Sequence, residues 1–154
     1  MKFEDLRKKK YEELLRTKKL FCLASAGGSH TIGNHVNKDD LTLTRRLKGT
    51  GKVSAATSFY DYSQAEAVIE ACIYNDEGEF SNLKMLADWL ADTYDWEDME
   101  LTLTFDQPIG YGYSSKDDWS EGSKRINTVL VVLIKEDYTN GLPFAIRTAY
   151  PIFE

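Results

Sequence analysis

"INTVLVVLIKEDYTNGLPFAIRTAYP", Ile126 to Pro151, decides how the rest of this chain is read. Its first nine residues, "INTVLVVLI", are almost continuously apolar and rich in β-branched side chains, the pattern of a strand covered on both faces. Its last third, "PFAIRTAY", alternates with a period of two, and Asn140-Gly141 between the two runs is a strong hairpin signal. Strict alternation sets Phe144, Ile146, Thr148 and Tyr150 on one face and Ala145, Arg147 and Ala149 on the other. Thr148 and Tyr150 then project together, about 6 to 7 Å apart along the strand, close enough for both hydroxyls to reach one phosphate.

Upstream of this block the period changes. "LTLTF" at 101–105 still alternates, and "KVSAATSF" at 52–59 reads as a strand, but the other segments have helical spacing. The first twenty residues place Phe3, Leu6, Tyr11, Leu14 and Leu15 on one side of a helix. The glycines at 27 and 28 stop whatever precedes them, and Ser29 can cap a next helix that turns Ile32 and Val36 to the core. "NKDDLTLTRRL" carries Leu41, Leu43 and Leu47 on a second short helix, ending near "KGTG". "SQAE" (Ser63 to Glu66) is a capping box ahead of a helix with Ala67, Val68, Ala71 and Cys72 inward. Behind Ser81, a further helix spaces Leu83, Leu86, Trp89 and Leu90, with Trp96 at the core edge. Helices first and antiparallel strands second predict an α+β domain, its N-terminal helices packed on a C-terminal antiparallel sheet.

Composition bounds the function. A chain of 154 residues, 42% hydrophobic and 29% charged, is that of one globular domain with a real core. The longest apolar run, Val129 to Ile134, is too short to span a bilayer. The opening "MKFEDLRKKK" has charge where a signal peptide needs an apolar run, so export would depend on a larger parent chain or another machine. Two cysteines, Cys22 and Cys72, sit in apolar surroundings and read as buried free thiols; with two histidines and no CxxC or HExxH, no metal site is expected. The net charge of −6 hides an asymmetry: residues 1–20 carry eight Lys/Arg against four acids, while 76–121 carry thirteen acids against two bases. That sign disfavours nonspecific grip on nucleic acid; a basic end suits RNA, and an acidic stretch is either a solvated face or a dock for a basic partner.

Both histidines lie in "GGSHTIGNHV", residues 27–36. His30 falls in the first turn of the expected helix, where orphan backbone N–H groups favour an anion; His35 lies beside core-facing positions. In "GYGYSS" (Gly110 to Ser115), Tyr111 and Tyr113 are either base-stacking platforms, at about 1 to 3 kcal/mol each, or members of a hairpin loop.

Read in order, His30-Thr31, His35-Val36, Arg46-Leu47, Ser58-Phe59 with Asp61, Ala65 and Ala67, Gly110, Val131-Val132-Leu133 and Thr148-Ala149-Tyr150-Pro151 form a series. The series resembles the bacterial RNase A-like toxin domain, the C-terminal part of contact-dependent growth-inhibition and other polymorphic toxins. The resemblance runs from about Gly27 to Pro151 and leaves residues 1–26 outside, as an N-terminal helix or a link to a larger parent protein. It implies a 27–154 toxin domain of RNase A-like fold. It also implies a catalytic set of His35 or His30, Arg46, Thr148 and Tyr150, no cofactor, an RNA substrate rather than DNA, and a cognate immunity protein as partner. It implies further that the domain is secreted or delivered within a larger effector and acts in the target-cell cytoplasm. Animal RNase A-type enzymes use several disulfides and a second histidine on the last strand; this chain has neither, which leaves the general acid open.

The chemistry fits those residue types. Cleavage of RNA without a metal uses the substrate's 2′-hydroxyl, the group that distinguishes RNA from DNA. A histidine accepts its proton near neutral pH, work that typically supplies about 10² to 10⁴ in rate. An arginine holds two phosphate oxygens in one fork. The competing reading is a non-catalytic acidic binding or immunity-type protein of the same toxin systems; the total charge favours it, while His35, Arg46 and the Thr148/Tyr150 pair favour the enzyme.

Overall fold

The computed structural model describes residues 2–17, 33–50, 54–136 and 142–153. In chain order the elements are α1 (Phe3–Thr17), a 3₁₀ turn (Gly33–His35), α2 (Asp40–Thr50), β1 (Ala55–Phe59), α3 (Tyr62–Ile73), α4 (Asn82–Ala91), β2 (Met99–Thr104), β3 (Gly110–Ser114), a second 3₁₀ turn (Trp119–Glu121), β4 (Lys124–Ile126), β5 (Thr128–Lys135) and β6 (Phe144–Ile152). The strands form two antiparallel sheets, ordered β1-β3-β4 and β2-β5-β6. The architecture is α+β, as the change of period predicts.

β5 is central in its sheet, and Val129, Val131 and Leu133 are fully buried along it. One residue, Asn127, separates it from β4, so the chain steps from one sheet to the other there. The Asn127 side-chain amide donates to the Phe105 carbonyl, and Phe105 N–H donates to the Asn127 carbonyl, which holds the step in place. The expected hairpin residues Asn140 and Gly141 lie outside the described residues, but the strands on either side pair antiparallel.

The helices pack on these sheets through stripes of the predicted spacing. α4 starts behind Ser81, whose hydroxyl accepts from Lys84 N–H, and buries Leu83, Leu86, Trp89 and Leu90. Each such aliphatic side chain contributes about 1.5 to 3 kcal/mol when fully removed from water. α3 starts earlier than the capping-box motif indicates: Asp61, not Ser63, is its N-cap and accepts from Gln64 N–H at 2.7 Å. The inward face shifts accordingly to Ala65, Val68, Ile69, Cys72 and Ile73, leaving Ala67 and Ala71 exposed. Buried Asn82 ties this layer together, donating to the carbonyls of Cys72 and Thr102 at 2.8 and 2.9 Å.

On α1 only Leu15 is fully buried; Phe3 and Leu6 are exposed. The helix pairs part of its charge with the acidic stretch, through Lys8–Asp88 at 3.1 Å and Arg16–Asp76 at 3.0 Å. Trp96 is 75% exposed rather than at the core edge, and Lys135 lies over its ring and that of buried Trp89. Cys72 is a buried free thiol, while Cys22 falls outside the described residues. No described helix is long and apolar enough to cross a membrane.

β6 departs from strict alternation in a way that matters for the site. Thr148 pairs with Val132 and Ile146 with Leu133, so Arg147 is an extra residue, a β-bulge. The bulge reverses the phase of the strand: Phe144, Ile146 and Ala149 enter the main core, and Arg147 is exposed, paired with Asp98 at 2.7 Å. Thr148 and Tyr150 therefore do not share the face of Phe144 and Ile146, as simple alternation has it. They project together away from it, both half-buried.

The two glycines of "GYGYSS" have a packing reason, for this segment is strand β3 and not a loop. A Cβ on Gly110 would lie 2.5 Å from Pro151 Cγ and 2.6 Å from the Ser58 carbonyl; one on Gly112 would lie 2.5 Å from the Ala56 carbonyl. Only glycine lets β1, β3 and the end of β6 come this close. The junction is sealed by Thr57 Oγ1, which donates to the Pro151 carbonyl at 2.6 Å in a buried position.

Candidate active site

A cleft of about 1190 Å³ opens where the 3₁₀ turn, α2, β1, β3 and the end of β6 meet. His35 comes from the last residue of the turn, Arg46 from the second turn of α2, and Tyr150 from β6 beyond the bulge. All three line the cleft. Each position follows from local structure. The chain after His35 turns sharply at Asn37, which has φ of +50°, a left-handed value that asparagine tolerates better than most residues. Val36 bridges to Phe59, and Asn37 N–H donates to the Phe59 carbonyl at 2.9 Å, so the segment runs along β1. Asp39 then caps α2 by accepting from Thr42 N–H at 2.7 Å, and Leu43 and Leu47 anchor that helix in a small second core with Ala56 and Tyr113. Arg46 is left half-buried on the side of the cleft.

The His35 and Tyr150 rings lie 5.2 Å apart between centroids, tilted by 34°. His35 Nδ1 is buried without a hydrogen-bond partner. Burial holds the His35 pKa below its ordinary value; the charges of Arg46 and Lys38 push the same way, and the Thr57 backbone opposes them. The imidazole is therefore neutral at physiological pH, the state required of a proton acceptor.

The cleft is cationic although the chain is acidic. Arg45 and Lys116 line it together with Arg46, and among the described residues no Asp or Glu lines it. The sequence reading missed Arg45, Lys116 and Thr57; for the first, the signal was the Arg-Arg pair itself, whereas Lys116 comes from β3's following turn and only tertiary structure brings it in. Among the described residues no group of three or more His, Cys, Asp or Glu is placed to hold a metal ion.

Not every expected site residue converges here. Thr148 shares Tyr150's side of β6 but does not line the cleft. Tyr111 and Tyr113 do not line it either: Tyr111 is half-buried against Tyr60, and Tyr113 is buried in the second core. His30 lies outside the described residues.

These features define the class: an α+β domain with a cationic cleft that offers an anion a neutral histidine, an arginine and a tyrosine hydroxyl. The family model described as the bacterial CdiA-CT RNAse A domain matches residues 29–151, and the chain belongs to that family of toxin ribonucleases. A solved structure, a CdiA-CT/CdiI complex from Y. kristensenii, is similar with a TM-score of 0.67 and 26% identity, covering 81% of this chain and all of that one. No curated protein matches the sequence significantly.

Proposed function

We propose that this domain is a metal-independent endoribonuclease toxin that cleaves RNA by attack of the 2′-hydroxyl on the adjacent phosphorus. The observation that carries the reading is the meeting of His35, Arg46 and Tyr150 in one cleft whose described lining residues include no carboxylate. Such a lining attracts a phosphodiester and offers a divalent cation none of the carboxylate ligands it favours.

In this reading, the neutral His35 takes the proton of the 2′-hydroxyl. The O2′–P bond forms, the P–O5′ bond breaks, the departing 5′-oxygen takes a proton from solvent, and His35 returns to solvent the proton it accepted. The products are a 2′,3′-cyclic phosphate and a free 5′-hydroxyl. With Nδ1 buried, Nε2 is the nitrogen left for this transfer. Arg46 holds two non-bridging oxygens and offsets the negative charge that builds on them. Tyr150 donates a hydrogen bond to the same group, and Thr148 supplies a second hydroxyl from the same side of β6. His30 is the second histidine candidate.

The partner we assign is a cognate immunity protein, in line with the relative from Y. kristensenii, which was solved as a CdiA-CT/CdiI complex. The domain would be delivered within a larger effector and act in the target-cell cytoplasm.

Incubating the purified protein with total RNA and EDTA tests the proposal. Cleavage that survives EDTA, leaves cyclic phosphate ends and is abolished in His35→Ala supports it; His30→Ala and Tyr150→Phe assign the remaining roles. Intact RNA at high protein concentration overturns it in favour of a binding protein without catalysis.

A further inference from the structure

We infer that Ser58 and Tyr111 are positioning residues: a cross-strand pair that grips the backbone of Lys38 from both sides and so holds His35 at the cleft. The two residues face each other directly in the β1–β3 register. Ser58 Oγ accepts from Lys38 N–H at 3.0 Å, and the Tyr111 hydroxyl donates to the Lys38 carbonyl at 2.6 Å. Both backbone groups of one residue are thus satisfied by side chains of one cross-strand pair. The Ser58 hydroxyl has two carbonyls within donating reach, Phe59 at 2.9 Å and His35 at 3.3 Å, so it also touches the histidine's own backbone.

The grip takes over where the Val36–Phe59 bridge and the Asn37 N–H bond to the Phe59 carbonyl leave off. The 3₁₀ turn that ends at His35 has three residues, none of them buried, and the next residues pass through the left-handed bend at Asn37 before α2 begins. Hydrogen bonds to Lys38, three residues beyond His35, define where that bend ends. Ser58 is fully buried, and the Tyr111 ring is braced by Tyr60 at 5.3 Å, so both anchors are themselves held. A cross-strand pair on rigid sheet is the kind of support that keeps a reacting group in place. It also gives Tyr111 a role that depends on its hydroxyl and not on stacking a base.

The inference rests on His35 as the proton acceptor, and its first test is read without turnover. In a His30→Gln background, the His35 imidazole is titrated by NMR in wild type, Tyr111→Phe and Ser58→Ala. The groups facing His35 are Arg46 on α2, Tyr150 on β6, Lys38 on its own segment and the Thr57 backbone on β1, with Arg45 and Lys116 across the cleft; none is altered in these variants. Releasing the grip hydrates the ring, so its pKa rises toward the ordinary histidine value in both. In the RNA assay, kcat falls about 10- to 100-fold, the scale of a small misplacement, while KM stays within about twofold. A wild-type titration curve in both folded variants overturns the inference. So does a Tyr111→Phe enzyme with normal kcat beside a Tyr111→Leu enzyme raised in KM, which would make the ring a base platform. A wild type that binds but never cleaves RNA instead removes the catalytic reading and leaves the NMR result to stand on its own.

Discussion

The rings of His35 and Tyr150 touch across the cleft, 5.2 Å between centroids, although one belongs to a short turn ahead of α2 and the other to the last strand. The contact gives Tyr150 two separable parts, a ring that packs on the imidazole and a hydroxyl that serves the phosphate. Tyr150→Phe keeps the first and removes the second. It is expected to lower kcat by about 10²-fold, the size of one lost donor to a charged transition state, with the melting temperature unchanged. Tyr150→Ala also frees the imidazole, and its pH profile moves as well. Equal profiles in the two variants would show that the ring contact does nothing for His35.

The pH dependence follows from the direction of the His35 shift. Its folded-state pKa lies below the ordinary histidine value, through burial first and then Arg46. The acid limb of kcat/KM should therefore fall below about pH 6.5, and Arg46→Gln should move it upward while also weakening catalysis. Stability changes with the same sign. Because the unfolded chain takes up the proton first, the contribution of neutral His35 is complete above about pH 6.5 and is lost as pH falls toward the folded-state pKa. A urea midpoint that is flat from pH 7.5 to pH 5 in wild type, or that falls equally in His35→Gln, would contradict this.

Arg147 supplies a test of the bulge. Deleting it leaves Ile146, Thr148, Ala149 and Tyr150 opposite Leu133, Val132, Val131 and Leu130 and restores unbroken alternation, so Tyr150 keeps its side of the strand. The deletion should therefore stay folded and retain cleavage, with only the local twist of the bulge lost. Arg147→Ala keeps the bulge and removes only an exposed ion pair to Asp98, at about 1 kcal/mol or less. Cleavage abolished in a folded deletion variant would mean that the bulge itself, and not the pairing of Tyr150 with Leu130, places Tyr150 in the cleft.

Much of the fold was legible because period and burial coincide: the continuous apolar run of β5, the α4 stripe behind Ser81, and the order of helices and strands. The site was legible in part. His35, Arg46 and Tyr150 converge as expected, yet Tyr150 reaches the cleft for a reason that alternation hides. A bulge leaves no mark in the hydrophobic pattern when the extra residue is polar, as Arg147 is. The start of α3 was missed because Asp61 and Ser63 are both good caps, and only the packing of Ala65 and Ile69 chooses between them. Trp96 reads as core edge by type but is exposed, with Lys135 over its ring. Tyr111 and Tyr113 have side-chain roles set by partners far away in sequence, Lys38 for one and Leu43, Leu47 and Ala56 for the other.

Asn82 is expected to be among the costliest polar positions in the domain. Its amide serves the carbonyls of Cys72 and Thr102, which joins the end of α3 to β2 through a buried side chain. Asn82→Ala leaves both acceptors without that donor and should destabilise the fold by about 2 to 3 kcal/mol. Cys72 reports the result directly. Burial pushes its thiol up to about 12, so the native thiol is inert at neutral pH and reacts only when the structure opens. In a Cys22→Ser background, labelling of Cys72 by a maleimide under slow-reaction conditions should accelerate about 30-fold or more in Asn82→Ala, the change in open population that such a loss implies. An unchanged labelling rate together with a lowered melting temperature would show that Cys72 is reached through a local opening that Asn82 does not control.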